Sequence, residues 1–441
     1  MSSGIMPLLS AAESCGATFT RFSQAFLAHH PGYRLVRPAL LPLVLPRPLA
    51  LRTWRTTAAV LAELRRVPQQ RFGGDATAWV RALGYAEEEV PWLAGMTDLR
   101  SIEIATSCAR ADFVMGAEGP RLVEINVGPT IGGIGVLDRY AEVFDAICGS
   151  PPGVSFPHPA RPWSRALRQF VPSVRPLRVA LVIAEDEAGI PHPHEAARYL
   201  RREGLDAKVV GVNELRFNGA GAATSAGPVD IVYGCFTFDQ LREPVYRRFA
   251  DRAVACQAAG GPVYFSPPAF TLFGNKAMLA YLDEARIPAG LLAVTRRLNA
   301  GTLEFAIENR AGQVLKPAVG YGGEGVVIGA DCTPPNWLAA LNRALDSQQP
   351  HVLQDYIEPV ALRIPSPEGE TDYHVGIGCL AFGGRFGGFL LRQTPAALHG
   401  IASCKQGATF AAAGIADDAW FAREIARRSD RPCSVDVGVA A

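Results

Sequence analysis

Hydrophobic residues recur along the chain with two periods, and the change between these periods outlines the elements that the sequence predicts. Helical spacing dominates residues 1–98, whereas period-two and wholly apolar segments alternate with helical ones further along. This order predicts an α/β (α+β) fold. The predicted helices are 54–64, 76–83, 136–147, 195–203, 276–285 and 336–345. The predicted strands are 111–115, 121–126, 177–184, 207–212, 230–233, 313–317, 326–329, 351–357 and a two-strand segment at 372–392.

A proline-rich segment marks the clearest boundary in this pattern, because prolines crowd the stretch between Gly149 and Trp163. Strands that alternate with helices after it predict a small parallel sheet of Rossmann-like character. No G-x-G-x-x-G follows the first of these strands, so no dinucleotide site is assigned. The predicted segments are a mainly helical N-terminal region (1–98), a hairpin segment (99–150), a Pro-rich linker (151–175), a Rossmann-like domain (176–270) and a last segment (271–441).

Composition and charge narrow the functional classes. The 43 basic and 42 acidic residues are interspersed and give a net charge of +1, which does not favour general nucleic-acid binding. Nine scattered cysteines without a C-x-x-C pair indicate reduced thiols in a cytoplasmic protein. The opening segment lacks the basic and apolar regions of a signal peptide, and prolines interrupt the apolar residues 39–45. We therefore expect a cytoplasmic protein with no membrane partner.

Two carboxylates and an amide are predicted to share one face of the first hairpin. Glu124 and Asn126 are two positions apart on a strand and so project to the same side. If the turn is centred near Glu118, the residue numbers of two cross-strand partners add up to about 236–238. Asp112 then lies opposite Glu124 or Asn126. Carboxylate and amide oxygens suit a hard cation such as Mg²⁺. The alternative is a solvent-facing hairpin whose acidic groups simply contact water.

The strand then runs into a loop in which Gly128, Gly132 and Gly133 let the backbone approach a ligand closely. Before a later helix, His192 and His194 form a second candidate pair of metal ligands. No further ligand is near them in the sequence, so a polar loop is favoured over a metal site.

A second glycine-rich segment spans 320–325. It is not the dinucleotide fingerprint, because a strand rather than a helix follows it. A glycine-rich hairpin tip remains, whose backbone N–H groups can fold over phosphate oxygens. Lys316 precedes this tip and Lys276 opens the preceding helix, and lysine is suited to reaching phosphates. Taken singly, each lysine is better explained as a surface residue than as a ligand, and it is their combination with the glycine-rich tip and the segment 352–358 that favours a phosphate site.

The segment 352–358 is a predicted strand that runs into a turn. Its backbone at Tyr356 and Ile357 is suited to reading an adenine edge, with Gln354 nearby and Glu358 directed toward a ribose.

Together these motifs resemble the ATP-grasp superfamily over roughly residues 100–410. The 110–112 and 124–126 segments resemble the metal segment of D-alanine–D-alanine ligase, in which the corresponding side chains hold two Mg²⁺. In ordinary members this segment follows the lysines, whereas here it precedes them. That order is similar to the circularly permuted ATP-grasp proteins, among them glutathionylspermidine synthetase. A departure from the family pattern is Gln354, where an acidic residue is commoner.

The resemblance implies a circularly permuted ATP-grasp fold with a Rossmann-like pre-ATP-grasp domain. In it 99–150 is the metal-binding half and 271–441 the ATP-binding half, with a lid at 287–350 and an adenine hinge at 352–358. The implied cofactors are ATP and two Mg²⁺, with Mn²⁺ as the alternative ion. The implied metal ligands are Asp112, Glu124 and Asn126, and the implied catalytic residues are Arg110 and Arg392. The implied nucleotide-binding residues are Lys276, Lys316, Gly320, Gly322, Gly323, Gln354, Tyr356, Ile357 and Glu358. The implied substrate residues are Gly128, Thr130, Gly132 and Gly133.

The activity implied by the resemblance is that of a carboxylate–amine ligase. It forms an amide or peptide-type bond through an acyl phosphate and releases ADP and phosphate. The expected partners are a small carboxylate and a small amine, with no nucleic acid, and a homodimer is left open. Three alternatives remain at this point: a kinase, a carboxylate–thiol ligase, and a nucleotide-binding module without catalysis.

Overall fold

A large mixed sheet carries the predicted hairpin at one edge and places its polar face toward a second, smaller sheet. The computed structural model describes residues 5–8, 16–28, 38–39, 41–129, 131–173, 175–187, 190–366, 369–397 and 408–429. Among these residues the large sheet has nine strands.

The elements alternate between helices and strands, as the hydrophobic pattern predicts. The helices are α1 (Gly16–Leu27), α2 (Arg47–Phe72), α3 (Ala76–Ala82), α4 (Val90–Ala94), α5 (Leu99–Ala105), α6 (Val136–Cys148), α7 (Ala160–Gln169), α8 (Pro191–Arg202), α9 (Phe238–Arg242), α10 (Pro244–Ala258), α11 (Phe270–Phe273), α12 (Ala300–Glu308), α13 (Pro334–Asp346) and α14 (Asp418–Ser429). The strands are β1 (Met6–Pro7), β2 (Leu43–Pro46), β3 (Cys108–Gly116), β4 (Gly119–Val127), β5 (Val154–Ser155), β6 (Arg178–Ile183), β7 (Asp206–Gly211), β8 (Arg216–Asn218), β9 (Gly221–Thr224), β10 (Gly227–Pro228), β11 (Ile231–Gly234), β12 (Val263–Tyr264), β13 (Thr295–Arg297), β14 (Gln313–Pro317), β15 (Val327–Ile328), β16 (His351–Asp355), β17 (Ala361–Ser366), β18 (Gly369–Phe382), β19 (Arg385–Pro395) and β20 (Thr409–Ala416).

The large sheet runs in the order β1-β2-β20-β19-β18-β3-β4, with β17 beside β18 and β5 beside β20. Strands from both ends of the chain therefore meet in one sheet. The hairpin β3–β4 has the expected antiparallel register, and Asp112 pairs with Glu124. The register shifts between Asp112 and Phe113, which leaves Val123 as the extra residue of a β-bulge. This bulge reconciles the tight turn with the Asp112–Glu124 pairing.

The predicted small parallel sheet is present, in the order β12-β11-β6-β7 with parallel pairing throughout. Its central strand β6 is buried along nearly its whole length, as expected for a strand covered on both faces. Helix α8 leads from β6 to β7. Whether this unit is a Rossmann-like pre-ATP-grasp domain remains a prediction.

A third unit, the lid sheet, has the order β13-β16-β14-β15. Helices α12 and α13 cover it and form a separate hydrophobic core, in which Trp337, Leu341, Leu315 and Leu353 are buried. The glycine-rich segment joins β14 to β15, so the predicted hairpin tip is confirmed. The rest of the described chain shares one continuous core that extends from the N-terminal helices to α14.

The prediction of one α-helix at 276–285 is wrong. The segment consists of two short 3-10 helices, Lys276–Tyr281 and Glu284–Arg286. The side chain of Asn275 accepts a hydrogen bond from the backbone of Ala277, and Asp283 does the same for Ala285. Because each cap starts its own turn, one continuous helix does not form.

The proline-rich segment 151–175 is not a simple linker. It contains α7, in which Trp163 and Leu167 are buried, and β5, which pairs with β20. Pro159 and Pro162 lie at the first turn of α7, where proline is compatible with a helix. The prolines suggested an irregular segment, so the amphipathic helix α7, which packs into the main core, was not predicted. Within the described ranges, no helix is long and apolar enough to cross a membrane.

Candidate active site

A cleft of ≈ 510 Å³ lies between the hairpin face of the large sheet and the lid sheet. Most residues predicted from the sequence line it, although they come from segments far apart in the chain. These residues are Arg110, Asp112, Glu124, Asn126, Gly132, Gly133, Lys276, Lys316, Gly320, Gly322, Gly323, Gln354, Tyr356, Ile357 and Arg392.

Asp112 is the centre of the charged network on the large sheet. Arg110, two positions earlier on β3, donates hydrogen bonds from Nε and Nη2 to both of its carboxylate oxygens, at 2.7 and 2.9 Å. The Arg392 Nη2 atom donates to Asp112 Oδ2 at 3.1 Å, and Asn126 Nδ2 donates to the same oxygen at 3.0 Å. Burial opposes ionisation of Asp112, but the two guanidinium groups outweigh it and hold the pKa of this carboxyl below its usual value.

The network depends on a glycine that sequence reasoning missed. Gly378 on β18 pairs directly with Asp112. A Cβ atom at this position would lie 2.7 Å from Arg110 Cδ and 3.0 Å from Asp112 Oδ1. The Arg110 side chain therefore lies across β18 at a position from which no side chain rises. Only the cross-strand register reveals this role.

Lys276 joins the hairpin to the glycine-rich tip. Its Nζ lies 3.1 Å from Glu124 Oε1 and donates a hydrogen bond of 3.0 Å to the carbonyl oxygen of Gly320. The lysine is 8% exposed, whereas the side chain of Glu124 is 27% exposed and reaches into the cleft. A predicted phosphate ligand and a predicted metal ligand are thus direct neighbours.

Lys316 lies at the end of β14, where its Nζ donates a hydrogen bond of 2.5 Å to Gln354 Oε1. Gln354 is held in turn by Thr295, whose hydroxyl accepts from Nε2 at 2.8 Å. An amide can accept from the lysine and donate to the threonine at once, which explains glutamine at this position. Burial lowers the pKa of Lys316 to about 8, and the nearby charge of Lys276 acts in the same direction.

The adenine hinge is only partly as predicted. Tyr356 and Ile357 line the cleft, but the Tyr356 N–H donates to the carbonyl of Gly312 at 2.8 Å, so this group is already used. Glu358 is not among the residues that line the cleft, although its neighbours Ile357 and Pro359 are, and its contact with a ribose stays a prediction. Asp331, which follows β15, does line it and is the better candidate for that contact.

The glycine loop after β4 serves two purposes. Gly132 and Gly133 line the cleft, with positive φ values of 68° and 88° that favour glycine. Gly128 has a different role, because a Cβ there would lie 2.6 Å from the ring of Phe270. It is a packing glycine and does not line the cleft. Thr130 lies outside the described residues.

His192 and His194, at the start of α8, do not act together. His192 lines the cleft, whereas His194 lines a separate shallow depression beside β7. Burial lowers the pKa of His192 to about 4, with a smaller contribution from His194, so His192 is neutral at physiological pH. Both histidines lie within α8 and not in the predicted polar loop, and the place of His192 in the cleft was not predicted.

The oxygen donors on the hairpin fit a hard cation in their chemistry. Asn126 uses its amide nitrogen toward Asp112, which leaves its carbonyl oxygen as the acceptor, and Glu124 reaches the cleft beside it. The described residues contain no group of three His, Cys, Asp or Glu side chains placed to hold a metal. A cation here would therefore need an amide or phosphate oxygen as well as the two carboxylates.

No protein-family model and no curated protein matches the sequence. Among solved structures, the chain is similar to a glutathione synthetase-like effector from Globodera pallida. That alignment has 14% identity, covers 93% of this chain and 98% of the other, and has a TM-score of 0.56. Two further structures are a predicted gamma-glutamylcysteine synthetase from Methylobacillus flagellatus (11% identity, 81% and 87% coverage, TM-score 0.41) and the D-cycloserine synthetase DcsG (16% identity, 56% and 78% coverage, TM-score 0.33). The likeness to the Globodera pallida effector shows a shared fold.

Proposed function

We propose that the protein is an ATP-dependent carboxylate–amine ligase with a circularly permuted ATP-grasp fold, which forms an amide through an acyl phosphate and releases ADP and phosphate. The observation that carries this proposal is the convergence of four distant segments in one cleft. The hairpin, Lys276, the glycine-rich tip with Lys316, and the hinge all face one another there. The fold shared with a glutathione synthetase-like effector is in keeping with it.

The lid sheet is suited to binding ATP. Apolar side chains of Val314, Ile328 and Ile357 line its side of the cleft and offer a surface for the adenine ring. Asp331 is placed for a ribose hydroxyl. Lys316, near the end of β14, is placed for the phosphates.

The glycine-rich tip would cover the terminal phosphates. Gly322 and Gly323 have φ values of 68° and 79°, so successive backbone N–H groups can turn toward one anion. Closure of this tip would keep water away from the acyl phosphate.

The hairpin would hold Mg²⁺ through Glu124, Asn126 and Asp112. When bound, the ion supplies positive charge that offsets the charge of the phosphates. Arg110 keeps Asp112 ionised and oriented, and Arg392 donates to the same carboxylate and lines the cleft. We assign Arg392 to the carboxylate of the acid and to the transferring phosphoryl group, because a guanidinium suits both planar anions.

The reaction follows from this placement. The carboxylate of the acid attacks the γ-phosphorus of ATP, ADP leaves, and an amine then attacks the acyl phosphate and displaces phosphate. The protein contributes positioning and charge stabilisation, with little covalent chemistry of its own.

The test is a screen of acids crossed with amines in the presence of Mg²⁺-ATP, with nucleotides separated by chromatography and products weighed by mass spectrometry. We expect ADP and phosphate in equal amounts together with an amide. AMP as the stoichiometric nucleotide product would contradict the proposal. A stable phosphorylated acceptor or a thioester would instead assign the same site to a kinase or to a carboxylate–thiol ligase.

A further inference from the structure

Apolar side chains line the cleft next to Arg392. Leu390 and Phe410 of the large sheet, Val136 at the start of α6 and Ile190 just before α8 all line it. Leu390, Phe410 and Val136 are each at least nine-tenths buried. This group of four residues is called the apolar subsite below.

The sheet residues of the apolar subsite adjoin Arg392 directly. Phe410 is the cross-strand partner of Arg392, and Leu390 precedes Arg392 by two positions and so shares its face of β19. The ring of Phe410 lies 6.2 Å from that of Tyr140. Tyr140 follows Val136 by one helical turn on α6, which links the two walls.

Helix α8 packs against the start of α6. A Cβ on Gly135 would lie 2.5 Å from the backbone nitrogen of Ala196, so the residue before α6 contacts the second turn of α8. Ile190 and His192, at the beginning of α8, line the cleft as Val136 does.

Fixed charge is concentrated elsewhere in the cleft. Arg392 and His374 of the large sheet and His192 of α8 apart, the acidic and basic side chains that line it within the described residues belong to the hairpin, to Lys276 and to the lid sheet with its connections. His192 is neutral at physiological pH, since burial lowers its pKa to about 4. The four side chains of the apolar subsite offer no partner to a second carboxylate or an ammonium group, which would lose its hydration against them.

We propose that the apolar subsite binds the uncharged side chain of the acid substrate while Arg392 holds its carboxylate. The acid is then a small carboxylic acid with an aliphatic or aromatic side chain, as opposed to a dicarboxylic or basic one. This inference rests on the proposed function. The acid is chosen over the amine because Arg392 Nη2 lies 3.1 Å from Asp112 Oδ2, which puts a carboxylate on this guanidinium next to the predicted metal and phosphate positions.

The test replaces the unidentified amine by hydroxylamine, which attacks an acyl phosphate to give a hydroxamate and free phosphate. Hydroxamate and ADP are measured with butanoate, pentanoate, hexanoate, 4-methylpentanoate and 3-phenylpropanoate, and with glutarate as a diacid of similar size. Each added methylene should raise kcat/KM about fourfold until the subsite is filled. Glutarate should react at least about 100-fold more slowly than 4-methylpentanoate, because its second carboxylate would be desolvated.

Variants of Leu390 connect this preference to the structure. Leu390→Gln should lower kcat/KM for 4-methylpentanoate by about tenfold or more, while ADP binding by calorimetry stays within about twofold. Leu390→Ala, which keeps the subsite apolar, should move the optimum to a longer acid. Leu362→Gln is the matched control, because Leu362 is half-buried on β17 and does not line the cleft. Melting temperatures of all three variants report on folding.

Faster reaction of glutarate, or rates that do not depend on chain length, would overturn the subsite and leave the ligase proposal standing. A chain-length preference among amines combined with none among acids would also overturn it. Failure of every acid, apolar or polar, to give hydroxamate or ADP would instead overturn the proposed function and the subsite with it.

Discussion

Lys276 Nζ and Glu124 Oε1 lie 3.1 Å apart, although one opens a 3-10 helix and the other belongs to the hairpin of the large sheet. The sequence assigned the lysine to phosphate and the glutamate to a cation, and the structure makes them partners. Bound Mg²⁺-ATP would exchange this ion pair for a lysine–phosphate and a glutamate–cation contact. The site is therefore charge-balanced both before and after such binding.

The first prediction concerns Glu124→Gln. The change keeps the shape of the side chain and removes the charge that faces Mg²⁺. Turnover should fall by about 10²–10³, because the transition state depends on this stabilisation more than ground-state binding does. ATP should still bind within several-fold, and the melting temperature should change little. Turnover, calorimetry and thermal unfolding on the same protein check this.

Glu118→Gln is the control for that variant, because Glu118 lies in the turn of the same hairpin with its side chain 79% exposed. It should leave turnover unaltered. Survival of turnover in Glu124→Gln within about threefold, together with a much lower melting temperature, would make Glu124 a structural residue.

The second prediction concerns Lys316→Met, which keeps the length of the side chain and removes its charge. A charge-assisted hydrogen bond to phosphate is worth about 1.5–3 kcal/mol, so the Kd for ATP should rise roughly 10- to 100-fold. Stability should change little, because removal of a buried charge is offset by loss of the hydrogen bond from Lys316 to the buried Gln354. Lys208→Met is the control, since Lys208 is exposed on β7. Unchanged ATP affinity in Lys316→Met would remove Lys316 from the site.

The third prediction is a pH dependence of nucleotide binding. Burial lowers the pKa of Lys316 to about 8, and phosphate oxygens favour its protonated form. Binding should therefore be strongest below pH 8 and weaken above it, by at most about tenfold per pH unit, as the free protein loses this proton. Calorimetry in buffers of different ionisation enthalpy should show proton uptake on binding in that range.

Lys316→Arg separates this effect from other titrations, because arginine stays charged throughout the range. Its ATP affinity should be nearly constant between pH 7 and pH 9. An equal decline in the wild-type protein and in this variant would assign the titration to another group.

The fourth prediction concerns Gly378→Ala. The added methyl group would meet Arg110 Cδ at 2.7 Å and push the Arg110–Asp112 pair out of place. Overpacking should cost about 1–3 kcal/mol of the free energy of unfolding. Turnover should fall about 10²-fold, because small displacements of positioning groups are costly to catalysis. Steady-state kinetics and chemical denaturation measure the two effects.

Gly312→Ala is the matched glycine control, since a Cβ there would meet nothing within 4 Å and its φ is not positive. It should be close to wild type in both measurements. If Gly378→Ala retained full turnover, the placement of Arg110 would not matter for catalysis.

Much of the site could be predicted from local sequence because its chemistry follows the strand period. Alternation put Glu124 and Asn126 on one face, and the turn length brought Asp112 opposite them. The hairpin tip at 320–325 was likewise readable, because glycines between two short apolar segments have few other uses. The shared face of the hairpin and the glycine-rich tip each depend only on residues that are close in the sequence.

Other sequence-based assignments failed where a residue serves a distant partner. Gly128 looked like a ligand-binding glycine but makes room for the ring of Phe270. The prolines of 151–175 suggested a linker, yet Trp163 is buried in the main core. Composition and spacing say nothing about which remote surface a residue will meet.

The sequence by itself therefore determined the donor types, their spacing and the shared face of Glu124 and Asn126, because strand geometry is set by adjacent residues. It left two registers open for Asp112, and the bulge at Val123 fixes the one that pairs it with Glu124. Only the tertiary structure decided that Lys276 contacts Glu124, that Gly378 admits Arg110, and that Leu390 lies beside Arg392 at an apolar end of the cleft. The first two relationships join segments far apart in the chain. The third depends on which face of the sheet is covered, and that is fixed by packing and cross-strand register.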